Sequence, residues 1–238
     1  MIPYGEDLAY IHDAGFSDYA LAAAPGLLRL MRQNRVTGGL VVDLGCGSGR
    51  WAGELNRNGY DVAGIDSSTA LLDLARKLAP KSRFIAGSLW NEVLPRCDAI
   101  TCIGECVNYE SGVRNQPALL FARVHAALRP GGVFLFDAAG PSRIPADGRR
   151  RTWTEGRGWA VLVETGGDPK RGVLTRQIVC FRKVRNSYRR SEELHRLRVY
   201  APEDLLASLE RAGFRAKGVD RFGRFRLPEG IHGFVAVR

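Results

Sequence analysis

Three glycines at alternate positions follow directly on a short apolar run in Val41-Val42-Asp43-Leu44-Gly45-Cys46-Gly47-Ser48-Gly49. Glycine there lets the backbone turn sharply and approach a ligand with no Cβ in the way, and a helix opening just after Gly49 offers unpaired N–H groups. Gly64-Ile65-Asp66 ends the next apolar run, where a carboxylate can accept both hydroxyls of a ribose. Asp43 stands two residues before the first glycine, at a place where a dinucleotide site wants an uncharged approach to its pyrophosphate. The spacing is GxGxG rather than GxGxxG, and no P-loop lysine follows. An acid at this place suits a ligand with a positive amino group and no phosphates.

Three residues are candidates for proton transfer. Glu105 lies in Ile103-Gly104-Glu105-Cys106-Val107-Asn108-Tyr109, His195 in Glu193-Leu194-His195-Arg196-Leu197-Arg198, and His12 near the start of the chain. Carboxylates and imidazoles serve as general acids or bases, and equally as caps or ordinary partly buried groups. Tyr109, Trp153 and Tyr200 are the aromatic candidates for a pocket wall or for core packing. The five cysteines (Cys46, Cys97, Cys102, Cys106, Cys180) include no CxxC pair, so neither a disulfide framework nor a zinc knuckle is indicated, and no metal site is expected. Cys102 and Cys106 form CxxxC, but the third thiolate of an iron–sulfur CxxxCxxC would fall at Tyr109.

The elements that must position these residues alternate between strand and helix. Leu40–Leu44 reads as a buried parallel strand, followed by a helix over Arg50–Asn58, a strand over Asp61–Ile65, and a helix over Ser68–Ala79 closed by Pro80. Arg83–Ala86, Ala99–Ile103 and Val133–Phe136 are further strands, the last two separated by a helix from about Pro117 to Leu128. This alternation implies parallel βαβ units in an open doubly wound sheet, with the site outside the carboxyl ends of the strands. After Asp137 the pattern changes. Trp159–Thr165, Val173–Val184 and Tyr188–Tyr200 predict an antiparallel meander, followed by a helix over Pro202–Ala212 and closing strands at Phe214–Asp220 and Gly233–Val237. The residues before Leu40 read as helical, broken at Pro25-Gly26. The expected organisation is a single domain: a helical cap (1–39), a cofactor-binding core (40–148), an antiparallel β insertion acting as a substrate lid or an interface (149–200), and a C-terminal helix with closing strands (201–238).

At this point the sequence resembles the class I S-adenosylmethionine-dependent methyltransferases. VVDLGCGSG (Val41–Gly49) looks like their first motif, and GID (Gly64–Asp66) like their ribose-binding acid. GSLW (Gly87–Trp90) is similar to the turn that frames the adenine, and LRPGGVFLFD (Leu128–Asp137) to their helix end and fifth strand. The resemblance implies a Rossmann-like, mostly parallel seven-stranded α/β sheet carrying S-adenosyl-L-methionine, with S-adenosyl-L-homocysteine as product. By position, Gly45, Gly47 and Gly49 would pack against the methionine part, with Asp43 helping to hold its amino group. Asp66 would take the ribose, and Leu89 would flank the adenine. Ser88 stands where many members carry an acid for the adenine amino group. Ile103 and Gly104 would border the sulfonium, and Cys46 and Ser67 complete the implied cofactor set. The cap (Ala9–Ala20) is similar in character to the lid helices of small-molecule methyltransferases.

The chain has 238 residues with a formal charge of +10, and its residues are 45% hydrophobic and 25% charged, which suits a folded domain with a sizeable core. The charge is uneven: residues 1–148 hold 14 basic and 15 acidic residues, whereas Arg149–Arg226 holds 20 and 9. Such a block could attract an anion or nucleic acid, or be a solvated basic face. The [DNS]PP[YFW] tetrad of nucleic-acid amine methylation is absent, its place taken by Ile103-Gly104-Glu105-Cys106, and no cysteine follows a proline. Transfer of a methyl group to O or N of a small molecule is therefore the expected reaction. Methylation of RNA through the basic insertion and a non-catalytic cofactor-binding protein are the alternatives. With no apolar run long enough to span a bilayer and an acidic N-terminus, a cytoplasmic protein without a membrane partner is expected, with a homodimer as the candidate oligomer.

Overall fold

A computed structural model describes residues 4–110 and 116–238. The chain opens with α1 (Glu6–Gly15) and α2 (Asp18–Gln33), then alternates β1 (Gly39–Leu44), α3 (Arg50–Arg57), β2 (Tyr60–Asp66), α4 (Thr69–Leu78), β3 (Arg83–Ala86) and β4 (Cys97–Cys102). A 3-10 turn (Cys106–Asn108) follows β4, then come α5 (Pro117–Ala127), β5 (Leu128–Ala139) and a second 3-10 turn (Pro141–Arg143). Four antiparallel strands follow: β6 (Arg149–Gly156), β7 (Trp159–Asp168), β8 (Val173–Val184) and β9 (Ser187–Arg198). The chain then runs through α6 (Pro202–Arg211), β10 (Arg215–Val219), the short hairpin β11 (Arg221–Phe222) and β12 (Phe225–Arg226), and β13 (Ile231–Val237).

The main sheet has seven strands in the order β10-β13-β5-β4-β1-β2-β3. β13 alone runs opposite to the other six strands. The expected Rossmann-like, mostly parallel seven-stranded sheet with an antiparallel meander is thus the observed fold. Both faces of the sheet are buried, as a parallel sheet requires. Val41 of β1 joins one apolar cluster with Leu27, Met31, Trp51 and Leu55, whereas Val42 and Leu44 join another with Phe121, Val124, Leu205 and Leu209. Ser68 caps α4, its hydroxyl accepting the Leu71 N–H at 3.2 Å.

Two local expectations fail. The cap is not broken at Pro25-Gly26: α2 runs through Pro25, and the interruption comes at Phe16-Ser17. Ala23, Ala24, Leu27, Leu28 and Met31 are all buried along one face, and this burial outweighs the hydrogen bond that proline removes. Gly26 is there for a close approach, since a Cβ on it would lie 2.1 Å from the Phe222 carbonyl oxygen. The meander has four strands rather than three. β6 is exposed at every position, so it carries no alternating pattern, and it forms by pairing with β7 from Arg149↔Gly166 to Gly156↔Trp159.

Candidate active site

The carboxyl ends of β1, β2 and β4 meet the N-terminus of α3 at the glycine loop. Gly45, Gly47 and Gly49 adopt φ of 70°, 54° and 76°, left-handed values that ordinary side chains resist. Cys106 closes the space over Gly45, its sulfur lying 2.5 Å from where a Cβ would stand. A Cβ at Gly47 or at Gly104 would meet nothing within 4 Å, so open space is bounded by these two backbones.

Asp66 ends β2 beside that space. Its Oδ2 accepts the Gly47 N–H at 2.9 Å and its Oδ1 the Ser68 N–H at 2.8 Å, with the Ser67 N–H a third backbone donor to the carboxylate. Burial pushes its carboxyl above the usual range. Asp43, near the end of β1, is buried and accepts the Thr101 hydroxyl at 2.7 Å, and the Trp51 indole donates to that hydroxyl at 3.1 Å. Burial raises Asp43 to about 7 against the opposing pull of the Thr101 bond. The Cys46 thiol is buried and pushed up for the same reason. Ser88 and Leu89 are half-buried, Ser88 accepting the Trp90 N–H at 3.2 Å, and Ser67 is exposed.

Beyond Gly104 the chain is held by one buried carboxylate. Asp137, at the end of β5, accepts the N–H groups of Gly104 (2.9 Å) and Glu105 (2.6 Å) and the Tyr19 hydroxyl (2.8 Å). Its burial raises it to about 6, moderated by those donors. The backbone at Glu105 is thereby fixed in the left-handed region, with φ 61°. Its side chain accepts from Arg176 at 2.9 and 3.2 Å, with Arg143 3.7 Å away. Burial alone would depress Arg176, but Glu105 and the phenols of Tyr109 and Tyr4 outweigh it and hold the guanidinium above its ordinary value. Glu105 is therefore committed to two guanidiniums.

His12, His195, Tyr4 and Tyr109 form one aromatic cluster. Tyr4 lies 5.3 Å from His12, 4.9 Å from His195 and 6.3 Å from Tyr109 between ring centres, and its hydroxyl bonds that of Tyr109 at 2.9 Å. Desolvation lowers His12 and raises both phenols. The structure thus brings together all three acid–base candidates of the sequence, drawn from α1, the loop after β4, and β9. Trp153 is a correction. It stands opposite Leu162 on the outward face of the meander and is 67% exposed, away from this cluster. Tyr200 packs against the α6 side of the core.

The cap is tied to both halves of the site. Asp13 accepts the Ser48 hydroxyl at 2.6 Å and a bidentate pair from Arg50, and Ser68 donates to the Tyr4 carbonyl at 2.6 Å. On the meander side, Glu193 accepts the Gly5 N–H at 2.9 Å and Arg189 binds Asp7. The sequence reading missed Tyr4, Asp13, Arg176 and Glu193. Two of them had a signal: Arg176 is a charge on the inward side of Leu174-x-Arg176-x-Ile178, and Glu193 shares a strand face with His195.

Residues 41–132 match the family described as "Methyltransferase domain". The magnesium-protoporphyrin O-methyltransferase of Rhodobacter capsulatus is 32% identical over 101 residues, covering 36% of this chain and 45% of that protein. The chain spans about half or less of the length of the curated relatives it matches. An S-adenosylmethionine-dependent methyltransferase structure from Clostridium acetobutylicum superposes with a TM-score of 0.82 at 20% identity, covering 96% of each chain. CalS10 of Micromonospora echinaspora, an amino pentose methyltransferase with bound cofactor, superposes with a TM-score of 0.74 at 23% identity over 100% of this chain and 98% of that one.

Proposed function

We propose, from the premise that this chain belongs to the class I S-adenosylmethionine-dependent methyltransferases, that it transfers a methyl group to oxygen or nitrogen of a small molecule. S-adenosylmethionine is the methyl donor. The residues present fit it: open space borders Gly47 and Gly104, and the Asp66 carboxylate stands beside the loop with acceptor capacity left for a ribose hydroxyl. In this reading Gly45, Cys46, Gly47 and Gly49 take its methionine part with Asp43 helping to hold the amino group, Asp66 and Ser67 take the ribose, Ser88 and Leu89 the adenine, and Ile103 and Gly104 border the sulfonium.

The observation that carries the acceptor side is the convergence of Glu105, Arg176, Tyr4, Tyr109, His12 and His195 from four separate segments. Methyl transfer is an in-line displacement, so the protein must chiefly align the acceptor and exclude water. Asp137 fixes the backbone at Glu105, the Glu105–Arg176 pair fixes β8 against that loop, and α1 covers the opening. We take the acceptor to be a small molecule received among these side chains. The basic insertion is a weak argument for RNA, because Arg149 and Arg151 bind Glu164, Arg189 binds Asp7 and Arg196 binds Glu110. Trp153 and Leu162, exposed side by side, favour the meander's outer face as the contact of a homodimer.

Incubating the purified protein with methyl-labelled S-adenosylmethionine and a panel of small alcohols, phenols, carboxylic acids and amines tests the reading. Label in a small molecule supports it. Label in RNA alone overturns it, and cofactor binding without transfer points to the non-catalytic alternative.

A further inference from the structure

The inward face of β9 carries an arrangement that the methyl-donor site does not use. Glu193 and His195 alternate inward with Leu197, are 7% and 1% exposed, and are joined by a 2.8 Å contact between Glu193 Oε2 and His195 Nε2. A carboxylate there fixes the tautomer with the proton on Nε2 and leaves a lone pair on Nδ1. That Nδ1 is buried and has no hydrogen-bond partner among the described residues. A buried acceptor with nothing to accept from is rare in a folded protein and calls for an explanation. The ring stands against Tyr4 and, at 5.5 Å, Tyr109, both members of the cluster assigned above to the acceptor.

We propose that His195 Nδ1 takes the proton of the methyl acceptor and that Glu193 is its positioning residue. The inference rests on the methyl transfer proposed above. As the acceptor oxygen or nitrogen forms its bond to the methyl carbon, the carbon–sulfur bond breaks and its electron pair goes to sulfur. The acceptor's proton passes to Nδ1. One positive charge leaves the sulfonium and one appears on the imidazole, so the site's net charge does not change, and the new cation lies against the Glu193 carboxylate. The groups that face the ring from the surrounding elements are His12 on α1, Tyr4, Tyr109, and Arg176, which is directly opposite His195 in the β8–β9 register. Arg176 is already paired with Glu105, which leaves Glu193 as the counter-ion. The other Glu193 oxygen accepts the Gly5 N–H, so the cap and the proton acceptor are set by the same side chain.

Two measurements on the full chain test this. Long-range proton–nitrogen spectra of the 15N-labelled protein with S-adenosylhomocysteine should find His195 protonated on Nε2 only, and Glu193→Gln should mix the tautomers; an Nδ1-protonated ring in the wild type overturns the proposal. In the transfer assay, with the best acceptor of the panel as probe, His195→Ala should lower kcat by about 10²–10⁴-fold, with at least partial rescue by added imidazole. Glu193→Gln should lower kcat by about 10–100-fold, with calorimetric affinity for S-adenosylhomocysteine unchanged in both variants. Wild-type turnover with an undiminished His195→Ala sinks the proton role alone. Absence of turnover in the wild type sinks the parent reading, and the step with it, while the spectra still decide the positioning.

Discussion

Asp13, on the first helix of the cap, accepts the Ser48 hydroxyl of the glycine loop at 2.6 Å. The same carboxylate binds Arg50, which together with Ser48 holds it below the usual carboxylate range. Charge-assisted bonds of this kind contribute about 1–3 kcal/mol when one partner is left unpaired. Asp13→Ala should therefore raise amide exchange along residues 6–15 and speed dissociation of S-adenosylhomocysteine, with the main sheet unaffected. Unchanged exchange in the cap would mean that the meander alone holds it down.

Asp66→Ala removes the acceptor beside the open space and frees the Gly47 and Ser68 N–H groups. Binding of S-adenosylhomocysteine should weaken by about 1–3 kcal/mol by titration calorimetry. Undiminished affinity in a folded variant removes Asp66 from the ribose site.

Acidity should stabilise the ligand-free protein. Asp43 and Asp137 are raised to about 7 and about 6, so between pH 4 and 7 the folded state binds more protons than the unfolded one and stability falls as pH rises. His12 and His125, both lowered by burial, oppose this, but Asp66 is raised as well, so three carboxylates stand against two imidazoles. The Asp43 contribution is on the order of 4 kcal/mol at most. Melting temperatures at pH 5 and pH 8 should differ less in Asp43→Asn than in the wild type, and parallel shifts would contradict the assignment.

Gly26→Ala ordinarily strengthens a helix interior by roughly 0.5–1 kcal/mol. Here the new methyl group would collide with the Phe222 carbonyl, so denaturant unfolding should instead report a loss of about 1–3 kcal/mol. A stabilised variant would mean that α2 and the β11–β12 hairpin can separate freely.

The core was legible in the sequence because its signals are local. Gly45 to Gly49 and Asp66 lie at strand ends, and the strand order follows from alternation with helices. Where a residue's role is set by distant partners, local signals mislead. Pro25 breaks an isolated helix, but α2 has the main core along one face. Arg149 to Gly156 shows no strand pattern, since only its backbone is used. Trp153 reads as a pocket wall by type, and register alone turns it outward. Excising the whole meander, a natural test of a lid, would also strip Leu174, Leu197 and Val199 from the main core cluster.

The position of β13 bears on how the chain folds. β10 pairs with no strand except β13, along five residue pairs, and β13 in turn pairs with β5 along seven. During synthesis β10 emerges first and has no place to dock until β13 follows it, so the edge beyond β5 stays open late. Such non-local closure slows folding and leaves β5 exposed to wrong pairing meanwhile. A chain stalled before Ile231 would therefore be prone to aggregate through β5, however complete its ligand-binding loops.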